Sequence, residues 1–456
     1  MIRGKGVGKM ASKGYSSILL REKLAFGAGA FGKDFVYIFV SMYLLYFYTD
    51  VLGISAATAG SILLIVRFID AAFDLPFGFM VDKTNSKWGK LRPYLLFGAV
   101  PYGVTAAFLF FAPEIGEGGK VFYAFSLYFL ISILYSVVSI PHAALNTVMT
   151  DNPEERAHLT KYLMLFSGLA AALAGSITVP VVAMFPSERS GYFFMGAVTG
   201  VMAILLLFLC FKGTKEQVTT SELNENIPFK LAWKTVLTNK PFIILSASFL
   251  MMQISLGIRG AAGIYYFIYN VGNANLFSVV SAAGGIAGLA ITFLLPAIVR
   301  RIGMKKFYIA AGLLTLLNFL SIYVAPVHII PLVLVLNIAA SALTSVALFA
   351  AWGSLPDAIA YQLQKNGLHM EGVYYALYNF IQKVGSSIAG GLAGFVLAAF
   401  GYKSGMTPTA RSLEGILVTA AIIPAVCALL FTIFIFFYRT KDKNKKESVE
   451  KGVING

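Results

Sequence analysis

Residues 57–81 read ATAGSILLIVRFIDAAFDLPFGFMV, twenty-five positions in which only Arg67, Asp70 and Asp74 are ionisable. About 20 apolar residues, rising 1.5 Å each, cross the hydrocarbon core of a bilayer as a helix. A membrane β-strand would instead alternate apolar and polar residues over about ten positions. The apolar residues here are continuous, which selects the helix. Comparable runs fall at 24–50, 94–113, 121–147, 161–185, 191–212, 241–270, 275–298, 307–325, 329–355, 372–401 and 412–438. The composition agrees: 58% of the 456 residues are apolar and 12% charged, against about 25% charged in soluble domains. These features exclude a soluble protein and predict an all-α integral membrane protein with twelve transmembrane helices.

A net charge of +15 would suggest nucleic acid in a soluble chain. Its placement gives it another meaning. The loops on the side shared by both termini carry 28 Lys and Arg, whereas the opposite loops carry only Lys120, Arg189, Lys403 and Arg411. The positive-inside rule then places both termini in the cytoplasm of a multi-pass protein of the cell inner membrane. Its surroundings are lipid, nucleic acid is not a partner, and a monomer is expected. Residues 1–23 read as a cytoplasmic tail rather than a cleaved signal. Residues 24–212 form one six-helix bundle, 213–240 a polar cytoplasmic middle loop, 241–438 a second bundle and 439–456 a cytoplasmic tail. Cys210 and Cys427 lie in apolar runs and read as small hydrophobes.

The halves echo one another. After the second run come Gly78, Asp82, Lys83 and then Gly89-Lys90-Leu91-Arg92; after the eighth comes Arg300-Arg301-Ile302-Gly303-Met304-Lys305-Lys306. Equivalent basic loops in two halves are the signature of a two-bundle secondary transporter. No phosphate-binding loop, metal-ligand spacing or nucleophile motif occurs, so neither ATP-driven transport nor an enzyme is supported. No cofactor is called for beyond a coupling ion, and no metal site is expected. A repeated filter sequence, as in channels, is also missing.

The remaining cations, Lys33, Arg67, Arg259 and Lys383, are embedded in apolar runs together with Asp34, Asp70 and Asp74. An ionised group at mid-bilayer costs about 2.5–3.5 kcal/mol on the mildest scale, so such residues should face a polar cavity and find partners. Arg67, Asp70 and Asp74, spaced i, i+3 and i+7, share one helix face. Two carboxylates one turn apart repel unless a cation or proton sits between them, which is what a cation-coupling site requires. A static Arg67 ion pair holding helices together is the alternative. Polar stripes at Tyr135, Ser139, His142 and Asn146, and at Tyr375, Asn379, Gln382 and Ser386 beside Lys383, offer donors and acceptors to a hydroxyl-rich ligand. Four buried cations against three anions leave the region at +1, a balance that favours an acidic substrate.

At Phe26-Gly-Ala-Gly-Ala-Phe-Gly-Lys33-Asp34-Phe35, Tyr48-Thr49-Asp50, Arg67-x-x-Asp70-x-x-x-Asp74 and Trp88-Gly89-Lys90-x-Arg92-Pro93, the sequence resembles the glycoside-pentoside-hexuronide:cation symporters of the major facilitator superfamily. The resemblance spans about residues 22–440. It implies two six-helix bundles rocking around a central site that carries a sugar with H⁺, Na⁺ or Li⁺. By motif it implies cation ligation at Asp70, Asp74 and Ser136, and sugar contacts at Lys33, Asp34, Tyr135 and Lys383. Trp352, five residues before Asp357, matches glucuronide-type members, whereas Arg259-Gly260 followed by Tyr265-Tyr266 looks like xyloside-type members. Arg67, Asp82, Arg92, Asp357 and Glu371 are expected to have structural or gating roles.

The sequence also departs from the family pattern. Phe73 stands where melibiose-type members have an asparagine, which tilts the expected ion from Na⁺ to H⁺. Ser139, Ala143 and Met164 replace a sugar-site aspartate, tryptophan and arginine, which disfavours a galactoside. The segment after Asp357 lacks the family's second acid and its glycine-glutamate, although Glu371 is kept. The expectation is cation-coupled import of a sugar or glycoside, of uronide, hexuronate or pentoside type, by alternating access. The competing expectation is a cation-independent facilitator or a sugar-acid exporter.

Overall fold

The computed structural model describes residues 18–217, 229–366, 371–403 and 405–438. The first bundle contains α1 (Leu20–Tyr46), α2 (Ala56–Asp82), α3 (Arg92–Leu109), α4 (Glu117–Val148), α5 (Pro153–Val182) and α6 (Glu188–Gly213). After a short helix α7 (Phe229–Thr238) come α8 (Lys240–Tyr265), α9 (Asn275–Ile302), α10 (Met304–Val324), α11 (Ile330–Gly353), α12 (Leu355–Asn366), α13 (Glu371–Ala399), α14 (Ala410–Leu417) and α15 (Ile423–Phe437). A π-helical turn, Val418–Ile422, fuses α14 and α15 into one crossing. No strand occurs among the described residues.

Ten of the crossings are long and apolar enough to span a membrane by length and composition. The 18-residue α3 and α9, apolar over Asn275–Gly288, complete twelve. Large apolar side chains such as Phe97, Phe122, Val335 and Phe436 face outward, as lipid contact requires and water would not favour. Two elements differ from the sequence reading: α7 lies inside the segment read as a polar middle loop, and α12 inside the loop after the tenth run. Both are short and amphipathic, so they leave no apolar run to detect.

Local sequence sets the helix starts. Asn152, Ser187, Asn239 and Thr409 accept backbone N–H groups at the first turns of α5, α6, α8 and α14, replacing hydrogen bonds a helix start otherwise lacks. The carboxylate of Glu216 accepts the backbone N–H groups of Lys90, Leu91 and Arg92 at 2.9, 2.8 and 3.1 Å. It thereby places negative charge at the positive end of α3. Gly89, with φ +103°, turns the chain there.

The first helix of each bundle ends in the same way. A π-helical turn, Phe47–Val51 after α1 and Tyr266–Asn270 after α8, is followed by a glycine at positive φ, Gly53 and Gly272. Matching hydrogen bonds, Leu52 N–H to Phe47 O and Val271 N–H to Tyr266 O, close the two turns. Internal repetition is therefore present in the backbone as well as in the basic loops.

The bundles meet through α2 on α13, α5 on α9 and α1 on α8. Near the end opposite the termini, a β-carbon on Gly60 would sit 2.9 Å from Gly391 O and 3.1 Å from the Cα of Gly394. Only glycines allow that approach. At the end bearing the termini, the bonds Lys23–Glu155, Arg92–Phe211 O and Asn239–Tyr374 each stay within one bundle.

Candidate functional site: a charged midplane and a latch

Two charged clusters and one cavity occupy the middle of the molecule. In the first cluster, Lys33 Nζ lies 2.6 Å from Asp34 Oδ1, and Tyr135 Oη donates to the same oxygen at 3.3 Å. Ser167 Oγ donates to Asp34 Oδ2. Tyr102 Oη holds the Lys33 carbonyl at 2.8 Å, which fixes the turn that presents both charges.

The second cluster joins the bundles. Lys383 on α13 places its ammonium 3.1 Å from Asp70 Oδ2 and against Asp74 Oδ2, both on α2. Ser136 Oγ on α4 accepts from Lys383 at 2.9 Å and donates to Asp70 Oδ1 at 2.9 Å. Arg67 lies 4.0 Å from Asp70, donates to Tyr128 Oη at 2.8 Å and covers the Tyr37 ring at 4.7 Å. Asp74 Oδ1 is buried and accepts no hydrogen bond among the described residues. Asp70, Asp74 and Ser136, expected to share a site, are brought together around the Lys383 ammonium. Lys383, expected among the sugar contacts, instead lies within the carboxylate site, because the α2–α13 register brings it level with the two aspartates.

A cavity of about 390 Å³ lies between the bundles, walled by Arg67, Tyr37, Gln253, Arg259, Asn337 and Gln382, among others. Arg259 Nη2 donates to Asn337 O at 2.6 Å and Ser341 Oγ at 3.0 Å, and its guanidinium lies 5.8 Å from the Phe319 ring centre. Lys33, Asp34 and Tyr135 do not line this cavity; Tyr37 separates them from it, its ring stacked on Tyr135 at 4.5 Å.

Several expected contacts are corrected. His142 has 0% exposure, stacks on Phe26 at 4.6 Å and bonds the Phe26 carbonyl at 2.9 Å. It is a packing residue of the first bundle, because the small Gly29 lets α1 close over it. Trp352 packs edge-on against Phe249 and Tyr378, in an apolar cluster away from the cavity. Asn379 is exposed one turn from Lys383, and Ser139 is half-buried beside Tyr135; neither lines the cavity. Gln382 and Ser386 do.

Among the residues expected to be structural, Arg92 ties α3 to the Phe211 carbonyl at 2.6 Å, and Asp357 opens α12, exposed. The side chains of Asp82 and Glu371 lie outside the described residues. Sequence reasoning missed Ser167, Tyr102, Tyr128, Asn337 and Ser341. Tyr37 was detectable, lying one turn from Lys33 on the same face.

Opposite the termini, Asp50 Oδ1 accepts Tyr269 Oη at 2.6 Å and Tyr402 Oη at 2.5 Å. Thr49 Oγ1 shares a hydrogen bond with Tyr265 Oη at 2.6 Å. This latch holds the bundles together at that end. Asp50→Ala is expected to raise labelling of a Ser41→Cys cavity-wall cysteine by an impermeant maleimide, applied from the latch side, roughly tenfold. The native thiols Cys210 and Cys427 are buried. Unchanged labelling would remove Asp50 from closing the molecule.

Two bundles of membrane-length apolar helices, closing around ion pairs that run from one bundle to the other, define a secondary transporter of the major facilitator type rather than an enzyme. The chain belongs to the MFS/sugar transport protein family, whose model matches residues 25–442. It is 35% identical to "Uncharacterized symporter YnaJ" of Bacillus subtilis (strain 168), over 97% of this chain and 96% of that one. It is 32% identical to "Glucuronide carrier protein homolog" of Escherichia coli (strain K12), over 94% of each. Similarity to "Isoprimeverose transporter" of Lactiplantibacillus pentosus is 31% over 92% of this chain and 88% of the relative. Among solved structures, a point mutant of the nucleoside transporter NupG superposes with TM-score 0.67 at 12% identity, over 91% of this chain and 99% of that one; this shows a shared fold.

Proposed function

We propose that the protein imports a sugar or glycoside across the inner membrane in symport with a cation, H⁺ in preference to Na⁺, by alternating access as a monomer with both termini cytoplasmic. The relatives named as carrying a glucuronide and isoprimeverose support the substrate class. The observation that carries the reading is Lys383 of one bundle gripping Asp70 and Asp74 of the other. Its ammonium, together with the Arg67 guanidinium beside Asp70, balances the carboxylate pair in the absence of an external ion. A proton or cation arriving at these carboxylates competes with Lys383, weakens the grip and lets the bundles rock. Phe73 supplies no oxygen where an amide would help ligate Na⁺, which favours the proton.

The same lysine supports a second reading. A site already neutralised from within needs no ion to bind, so a cation-independent facilitator fits it as well. Radiolabelled sugar uptake into proteoliposomes under imposed pH and sodium gradients separates the two. Uptake that exceeds equilibrium under an inward proton gradient and collapses with a protonophore is expected. Uptake that reaches only equilibrium under both gradients would overturn symport in favour of facilitation.

A further inference from the structure

The charges of the midplane do not all cancel. Lys33 pairs with Asp34, and Lys383 and Arg67 are held by Asp70 and Asp74. The three carboxylates Asp34, Asp70 and Asp74 are thus engaged, and each lies on the first bundle. Arg259, on α8 of the second bundle, has no carboxylate partner among the described residues. Its hydrogen bonds go to neutral oxygens only: Asn337 O, Asn337 Oδ1 at 3.4 Å and Ser341 Oγ. Asn337 and Ser341 stand one turn apart on α11 and fix the guanidinium at the cavity wall. Three of its five N–H groups are used in this way.

A fixed, uncompensated cation inside a membrane is costly unless an anion meets it. A guanidinium with unused donors matches a carboxylate or sulfonate, which can accept two of them side by side. A second group in the same cavity also lacks its partner. Gln253, 3% exposed, lines the wall, and its Oε1 accepts no hydrogen bond among the described residues. It sits six residues before Arg259 on α8, about 9 Å along the axis. An acceptor of this kind calls for a ligand hydroxyl.

We infer that Arg259 is the anion-recognition residue of the cavity, and that the transported glycoside is acidic, its carboxylate or sulfonate on Arg259 and a ring hydroxyl on Gln253 Oε1. This rests on the glycoside reading above and narrows it. An acidic ligand brings the cavity to neutrality, whereas a neutral one leaves the charge of Arg259 unmet. Because Arg259 belongs to the second bundle and Arg67 and Tyr37 to the first, a ligand filling the cavity touches both moving bodies.

Binding of matched pairs to the purified full-length protein tests the inference: 4-nitrophenyl β-D-glucuronide against the β-D-glucoside, and the galacturonide against the galactoside. Each pair differs only in a carboxylate replacing a hydroxymethyl group. In at least one series, the unaltered protein is expected to bind the acid about 10- to 100-fold more tightly. Arg259→Gln is expected to bring that ratio to within roughly threefold, chiefly by weakening the acid. Arg259→Lys, which keeps the charge without the planar fork, should retain part of the preference. Equal or tighter binding of the neutral members would overturn the acidic substrate while leaving the glycoside reading standing. A preference for the acid that survives in folded Arg259→Gln would overturn the assignment to Arg259. Binding of no member of either pair would overturn the acidic hexoside as ligand, and the glycoside reading would then stand or fall on the uptake measurement above. The ratio in the unaltered protein needs no variant, so a poorly folding Arg259→Gln does not remove the test.

Discussion

In proteoliposomes, Asp70→Asn is expected to abolish accumulation of sugar against its gradient while counterflow exchange continues. Asp70 is 1% exposed, and it connects every part of the carboxylate site: Ser136 donates to one oxygen, and Lys383 and Arg67 face the other. Asparagine keeps the shape and can still accept from Ser136. It cannot carry the charge that either Lys383 or an arriving proton must neutralise. If ion and sugar are coupled by 1–3 kcal/mol, the accumulation ratio should fall by roughly 5- to 150-fold. Exchange down a gradient needs only the rocking motion and the sugar contacts, so it should survive. Accumulation equal to that of the unaltered protein would remove Asp70 from the coupling role.

The second large effect should come from Lys383→Met. Removing one member of a buried ion pair leaves its partners uncompensated, at a cost of about 3–5 kcal/mol. Here two carboxylates lose the same ammonium, so the unfolding temperature in detergent should drop markedly. Asp74→Asn combined with Lys383→Met removes one of the two stranded charges, and it should recover part of the loss. Two residues in direct contact are expected to be non-additive in this way. An unfolding temperature unchanged in Lys383→Met, or a double variant as unstable as the sum of its single changes, would show that the ammonium does not pair with this site.

The twelve crossings were legible because lipid leaves a one-dimensional record, a long run without charge. The helices α7 and α12 leave no such record, since an amphipathic helix of 10 or 12 residues looks like polar loop. Within the site, the buried charges stood out because each is expensive where it lies. Their neutral partners did not: Ser167, Asn337 and Ser341 cost little in an apolar helix, and nothing marks the one that meets a charge. The position of Lys383 was the least accessible. Whether it faces sugar or carboxylates depends on how α13 lies along α2, a register between elements some 300 residues apart in the chain. His142 and Trp352 misled for a related reason: polarity and aromaticity suit a binding wall and a packed interior equally, and only the neighbours decide.

The latch residues Asp50 and Tyr269 occupy equivalent places, each the fourth residue of the π-helical turn that ends the first helix of its bundle, and they bond to each other at 2.6 Å. Equivalent positions that touch must lie beside the pseudo-symmetry axis. In a dimer of identical chains, the same contact would pair acid with acid or phenol with phenol. With both turns in one polypeptide the two positions can differ, and here one is the acceptor and the other the donor. This contact is therefore a place where the internal symmetry is broken, and the chain gains from it an acid–phenol bond that two identical turns could not form at this position.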